Sequence, residues 1–220
     1  MPVKSTSANT LSFWRFSKRM MRPQQYKQFL VLDFEATCER GAQIVPQEII
    51  EFPCLKVNAS SLEVESVFHH YVRPTKPLTS FCTELTGITQ EMVDDAPEFA
   101  EVFHSFLQWG EEQHMWDLPR QTIIVTCGDW DLRIMLPNQC QQSNLTIPVF
   151  AKQWINIKKV FAHVMNFYPK KDLTDMMRIL KLPLQGRLHS GIDDCRNIHT
   201  VMCEMIKRGC VLQATSYLDG

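Results

Sequence analysis

Short apolar runs of strand length give way along this chain to longer stretches with helical periodicity. Residues 29–35 begin as a continuous apolar run, Phe29 to Leu32, that turns abruptly acidic at Asp33 and Glu35, the pattern of a buried strand with a polar end. Residues 47–57 and 62–72 read as two further strands, joined by the turn-forming Asn58-Ala-Ser-Ser61, and form a hairpin beside the first strand. Residues 122–126 (TIIVT) are another buried strand. Between them, residues 97–109 put Phe99, Val102, Phe103, Phe106 and Leu107 on one side of a helix, with proline near its first turn. Beyond the central strand the spacing predicts helices over residues 131–141, 152–167, 172–182 and 192–208, with Pro137 kinking or shortening the first. Three strand patterns followed by a strand and helices predict a mixed α/β sheet flanked by helices.

Acids recur where these elements end. Asp33 and Glu35 are two apart, so in a strand they project from one face. The strand over residues 122–126 runs into Cys127-Gly-Asp-Trp-Asp131, a turn opening a helix. His189 stands at the entry to the last helix, whose first turn carries Asp193 and Asp194. Each acid alone has an ordinary use, in solvent, as a cap or against a helix dipole. Three such coincidences point to convergence at strand ends, where sites in α/β sheets gather. Four carboxylates with one histidine suit a two-magnesium hydrolytic site with a resident general base. Spacing alone leaves Asp129 against Asp131, and Asp193 against Asp194, undecided.

The order D-x-E, then D in a W-D pair, then H-x-G-x-x-D resembles that of the DEDDh 3′-to-5′ exonucleases. The strings DFEATC, QEIIEFP, FCTELTGIT, CGDWDL, QWINIKK and HSGIDDCRNI are similar to those of the enhanced-RNAi and histone-mRNA exonuclease branch, and most to its prion-protein-interacting subgroup. The resemblance spans roughly residues 26–210 and implies a ribonuclease H-like fold. It also implies two Mg2+ ions, with Mn2+ able to substitute, held by Asp33, Glu35, Asp131 and Asp194. Asp33 would bridge the ions and His189 would act as base. Asp193 is then a helix-turn acid and Asp129 a cap for the following helix.

An exonuclease must hold a splayed terminal base, and aromatic faces do so without demanding a sequence. Trp130 is placed to stack, and Phe81 resembles the family's opposing aromatic. Ala36 backbone, Glu35 and His189 would contact the terminal nucleotide. Lys158, Lys159 and Arg187 are candidate phosphate contacts. The implied activity is release of nucleoside 5′-monophosphates from single-stranded RNA or RNA 3′ overhangs. A DNA-directed enzyme of the same chemistry, or a non-catalytic RNA- or protein-binding module on the same fold, are the alternatives.

Length and composition change this picture little. The chain has 220 residues, 45% of them hydrophobic, enough for one sizeable core. No apolar run approaches the roughly 18 to 20 residues of a membrane span, and residues 1–10 lack the apolar core of a secretory signal. The net charge of -1 is unevenly spread. Lys4, Arg15, Lys18, Arg19, Arg22 and Lys27 all precede the first acid, so residues 1–25 are expected to be a basic flexible arm that attracts phosphate or serves as a mitochondrial address. Residues 26–212 would be the exonuclease domain and 213–220 a tail. The eight cysteines lack C-x-x-C spacing and read as reduced thiols of an intracellular protein, Cys38 and Cys127 being those near the acids and open to oxidation.

Overall fold

The structure is a computed structural model and describes residues 21–42, 44–117 and 121–218. The basic arm lies largely outside them. Within its last residues the Gln24 side chain is tied down, donating to the Cys210 carbonyl at 3.0 Å and accepting from the Leu212 amide at 2.9 Å.

A seven-stranded mixed sheet organises the chain. Its spine is β3 (Ile49–Asn58), buried on both faces and therefore almost continuously apolar. Antiparallel to it on one side runs β4 (Val64–Tyr71), the hairpin expected from the Asn58–Ser61 turn; on the other side runs β1 (Gln28–Leu32). Parallel pairs then join β1 to β5 (Thr122–Thr126) and β5 to β6 (Gln153–Asn156), and β7 (Ser216–Tyr217) closes the far edge antiparallel to β6.

The first strand is interrupted. After Leu32, which pairs with Cys54, the chain leaves the ladder at Asp33 and Phe34 and rejoins β3 as β2 (Glu35–Ala36), where Glu35 faces Glu51. By this register the gap lies opposite Phe52 and Pro53. Pro53 has no N–H to give a neighbouring strand, so the ladder loses little where it opens.

Helices cover both faces. Against one pack α5 (Ile157–Met165), α6 (Asp172–Leu180) and α7 (Gly191–Lys207), around Phe161, Met176, Ile198 and Met202. Against the other lie α3 (Phe99–Glu112) and α4 (Leu136–Gln142), around an aromatic cluster in which Phe52 meets Phe34, Phe68, Phe99 and Phe106. Two short helices, α1 (Ser80–Thr86) and α2 (Gln90–Asp94), sit over Ile50. Among the described residues no helix is long and apolar enough to cross a membrane.

Three expectations need correction. Residues 152–167 are not one helix: Gln153–Asn156 is strand β6, and α5 begins only after the Asn156 side chain accepts from the Lys158 amide. The segment 213–220 is no mere tail, because Ser216 and Tyr217 complete the sheet. Asp129 does not cap the helix that follows it. Its Oδ1 accepts from the Trp154 indole at 3.1 Å and the Ser216 hydroxyl at 2.6 Å, and its Oδ2 pairs with Lys159 at 2.8 Å. Lys159, Ser216 and Asn156 hold its carboxyl down to about 2 against the cost of its partial burial.

Pro137 does shape the helix after β5, by widening rather than kinking it. Asp131–Met135 is a π-turn in which the Leu136 N–H reaches back five residues to the Asp131 carbonyl, and regular α-helix starts beyond it. A widened turn gives the proline ring room next to the preceding turn.

Asp129→Ala would strand the indole N–H of fully buried Trp154 without an acceptor. We expect urea unfolding to show a loss of about 1–3 kcal/mol, the cost of an unsatisfied buried donor. An unchanged midpoint would contradict the assignment of Asp129 to the scaffold.

Candidate active site

The strand interruption opens a cavity of about 460 Å³ that collects the acids from all three segments: Asp33, Glu35, Asp131 and Asp194 line it, together with Ala36, Trp130 and His189. Two of the acids, Asp131 and Asp194, are aimed by backbone. Leaving the ladder frees the Phe34 N–H, which donates to Asp131 Oδ1 at 2.9 Å and ties the π-turn to the end of β1. The His189 N–H donates to Asp194 Oδ2 at 2.8 Å, linking the histidine loop to α7. His189 itself is exposed and has a left-handed backbone, φ 62°, which turns the chain sharply into the helix. One ligand atom each from Glu35, His189 and Asp194 lie within 4.8 Å of one another.

Two residues set how closely α7 approaches. A Cβ on Gly191 would fall 2.8 Å from the Asp33 carbonyl oxygen and 2.9 Å from Pro53 Cγ, so only glycine allows the helix start to rest on the interrupted strand. The helix start lacks a side-chain cap from Ser190. Glu51, 1% exposed, supplies it from β3, its Oε2 accepting from the Gly191 N–H at 2.9 Å and its Oε1 from Ile192 N–H at 3.1 Å, with His69 Nε2 2.8 Å behind it. Sequence reasoning missed Glu51 because an acid inside an apolar strand run shows no partner until the fold is closed.

Burial and crowding disfavour charge on these groups. Burial, then the neighbouring acids Asp131, Glu35, Asp194 and Glu51, push Asp33 well above the ordinary carboxylate range. Glu35 is raised to about 8, by burial first and by Glu51 next. Asp131 and Asp194 are each raised to about 6 by burial, the amide bonds from Phe34 and His189 partly opposing the shift. Protons or cations must therefore neutralise the cluster near neutral pH. Asp194 Oδ1 is the buried side-chain oxygen among the described residues with no hydrogen-bond partner. An all-oxygen set of crowded carboxylates with an orphaned acceptor fits a hard divalent cation such as Mg2+ or Mn2+.

Other candidates sit elsewhere. Phe81 does not line the cavity. It lies in α1 under the Arg40 guanidinium, 4.9 Å from ring centroid to Cζ, in a neighbouring groove shared with Leu184 and Arg187. The cavity wall on that side is Leu85 and Leu188 instead. Arg187 is spent on the scaffold: its guanidinium donates to the Glu84 and Leu85 carbonyls at the end of α1. Lys158 pairs with Asp172 and Lys159 with Asp129, so neither points into the cavity as a free cation. Lys171, which sequence reasoning passed over, does line it. Asp193 is the helix-turn acid expected, accepting from the Arg187 N–H and pairing with Arg196. Cys38 and Cys127 both border the cavity, but burial pushes Cys38 to about 12 and Cys127 well upward, which withholds the reactive thiolate.

Comparison with known proteins places this geometry. Residues 30–202 match the family described as "Exonuclease", of the RNase T type. The chain is 50% identical over 196 residues to "ERI1 exoribonuclease 3" of Homo sapiens, covering 88% of this chain and 58% of that protein. It is 41% identical over 203 residues to "3'-5' exoribonuclease 1" of Rattus norvegicus, covering 89% and 57%. It thus spans a little under three-fifths of the length of these curated relatives. Among solved structures, the nuclease domain of 3'hExo, described as a DEDDh family member bound to rAMP, superposes with a TM-score of 0.83 at 38% identity, over 88% of this chain and 98% of that one. Cell-death related nuclease 4 superposes with a TM-score of 0.82 at 28% identity, over 88% and 68%. Because a sequence match over most of the chain and a fold shared nearly end to end with a nuclease domain agree with the acids gathered at the broken strand, the chain belongs to the DEDDh exonuclease family, in its ERI1 branch.

Proposed function

We propose that this protein is a divalent-metal-dependent 3′-to-5′ exoribonuclease that removes nucleoside 5′-monophosphates from single-stranded 3′ ends. The observation that carries the reading is the crowding of four carboxylates, with the orphaned Asp194 Oδ1, beside an exposed histidine in one cavity. A binding module for a polyanion has no physical use for such a concentration of negative charge.

Asp33, Glu35, Asp131 and Asp194 would hold two Mg2+ ions, for which Mn2+ can substitute. Bound there, the ions supply charge stabilisation for the attacking and leaving oxygens of a phosphodiester. The chain's own groups do the rest. His189, open to solvent and fixed through its backbone to Asp194, takes the proton of the attacking water. The water oxygen bonds to phosphorus as the bond to the upstream 3′ oxygen breaks; that oxygen takes a proton from solvent, leaving a free 3′-hydroxyl and a 5′-monophosphate. Trp130, with Ala36, Leu85 and Leu188, offers the wall for the terminal base. The ribonucleotide bound to the 3'hExo nuclease domain, and the histone mRNA stem-loop recognised by a related 3'-exonuclease that is 36% identical, support RNA over DNA.

Asp194→Asn should abolish hydrolysis of a labelled RNA oligomer in Mg2+ while the fold persists. His189→Ala should lower turnover by about two to four decades, the contribution of a positioned general base, with Mn2+ affinity by calorimetry nearly unchanged. Near wild-type turnover of Asp194→Asn, or loss of Mn2+ binding in His189→Ala, would contradict these roles.

The raised acids set the pH dependence of the metal-free fold. A carboxyl whose folded value exceeds its unfolded one near 4 leaves the native state holding more protons, so stability falls as pH rises. The decline should run from about pH 4 up through the values of about 6 for Asp131 and Asp194 and about 8 for Glu35. Thermal unfolding in chelator should therefore give a lower midpoint at pH 8.5 than at pH 5.5, and saturating Mg2+ should remove that decline. Equal slopes with and without Mg2+ would count against metal neutralisation of the cluster.

A further inference from the structure

The connection between α5 and α6 holds two adjacent aromatic rings in solvent. Phe167 is 42% and Tyr168 56% exposed; among the described residues the other exposed aromatic ring is Tyr217, in the edge strand β7. The segment is not loose. Pro169 within it is buried, Asn166 turns at φ 49°, and the Lys171 N–H donates to Asp175 Oδ2 at 2.8 Å. The rings are thus presented by an anchored turn, and stacking on them costs little ordering.

Cations accompany the rings. Lys158 Nζ lies 5.3 Å from the Tyr168 centroid, and its charge is met by Asp172. Lys170 and Lys171 are exposed, and neither has an ion-pair partner among the described residues. Exposed aromatic rings beside unpaired lysines are the components of a single-strand binding surface.

The platform is continuous with the active site, since Lys171, Asp172, Leu173 and Thr174 line the catalytic cavity. On one flank of the cavity stand Leu85 and Leu188, with Leu85 in α1, which packs over Ile50 of β3. Cys127, at the exit of β5, also lines the cavity and lies within the electrostatic reach of Asp172 and Lys158. The carboxylates act on the phosphate that joins the last nucleotide to the one before it. With the terminal base in the cavity, residues 171–174 at the start of α6 offer the preceding nucleotides a continuous path onto the turn.

We propose that residues 166–171 are the platform for the nucleotides upstream of the cleaved 3′ end, with bases stacking on Tyr168 and Phe167 and phosphates meeting Lys170 and Lys171. This rests on the exonuclease reading above, and makes substrate length a determinant of affinity without any base-specific contact.

The test compares the wild type with the Phe167→Ala/Tyr168→Ala and Lys170→Ala/Lys171→Ala proteins on a ten-nucleotide oligoadenylate, with 5′-AMP inhibition as the terminal-nucleotide control. The aromatic pair should raise the KM of the oligomer at least tenfold, within the range of about 1–3 kcal/mol per stacked base, leaving kcat and the AMP inhibition constant within twofold. The lysine pair should flatten the dependence of log KM on log salt by about 1.4, for two single-strand phosphates. An oligomer KM and salt slope equal to wild type would overturn the proposal, as would an AMP inhibition constant that weakens in step with KM. Should the wild type not hydrolyse the oligomer at all, the exonuclease reading fails. Anisotropy of a 5′-labelled oligomer in chelator still decides the platform, weaker binding by the variants supporting it and equal binding overturning it.

Discussion

Repulsion among carboxylates that water does not screen is the constraint on which this structure turns. Asp33, Glu35, Asp131 and Asp194 share one cavity and are all pushed above their ordinary values. Such a cluster lowers stability whenever it ionises without a counter-charge, so the rest of the fold must hold it together against its own field. The hydrogen bonds that do so come from backbone: Phe34 N–H to Asp131 and His189 N–H to Asp194. Backbone donors already fixed by the fold lose little entropy when they act, which makes them suitable props for groups that repel one another.

Those props trace to three sequence features. Pro53 in β3 stands opposite the interruption, where the strand ladder opens and Phe34 N–H becomes available. Gly191 lets the start of α7 touch the Asp33 carbonyl, bringing Asp194 to Asp33. Glu51 satisfies the first amides of that helix from the neighbouring strand. Its position opposite Glu35 carries an electrostatic cost, because it adds to the field that raises Glu35. The same carboxylate thus anchors the site and sharpens its need for a cation.

How much of this could be read from the chain depended on the range of the interaction. Strands 122–126 and 47–57 and the long helices were legible because their periodicity is local. Strand β6 was not: QWIN is four residues long and runs without a break into the apolar stripe of α5, so the two merge into one helical pattern. Helices α1 and α2, of seven and five residues, are too short for a period to show. The acids were found as a set, but spacing could not separate Asp129 from Asp131; their difference lies in Trp154, Ser216 and Lys159, which are remote in sequence. Lys158, Lys159 and Arg187 looked available for phosphate for the same reason, since their partners Asp172, Asp129 and the end of α1 become neighbours only in the fold. Phe81 lies one turn from the residue, Leu85, that actually walls the cavity.

Anomalous diffraction from crystals soaked in Mn2+ addresses the central claim most directly. The account requires two peaks about 4 Å apart in the cavity, ligated by oxygens of Asp33, Glu35, Asp131 and Asp194, with Asp194 Oδ1 no longer without a partner. Peaks on Asp129 or Asp193, or a cavity that excludes the ion while the crystal binds it elsewhere, would contradict it.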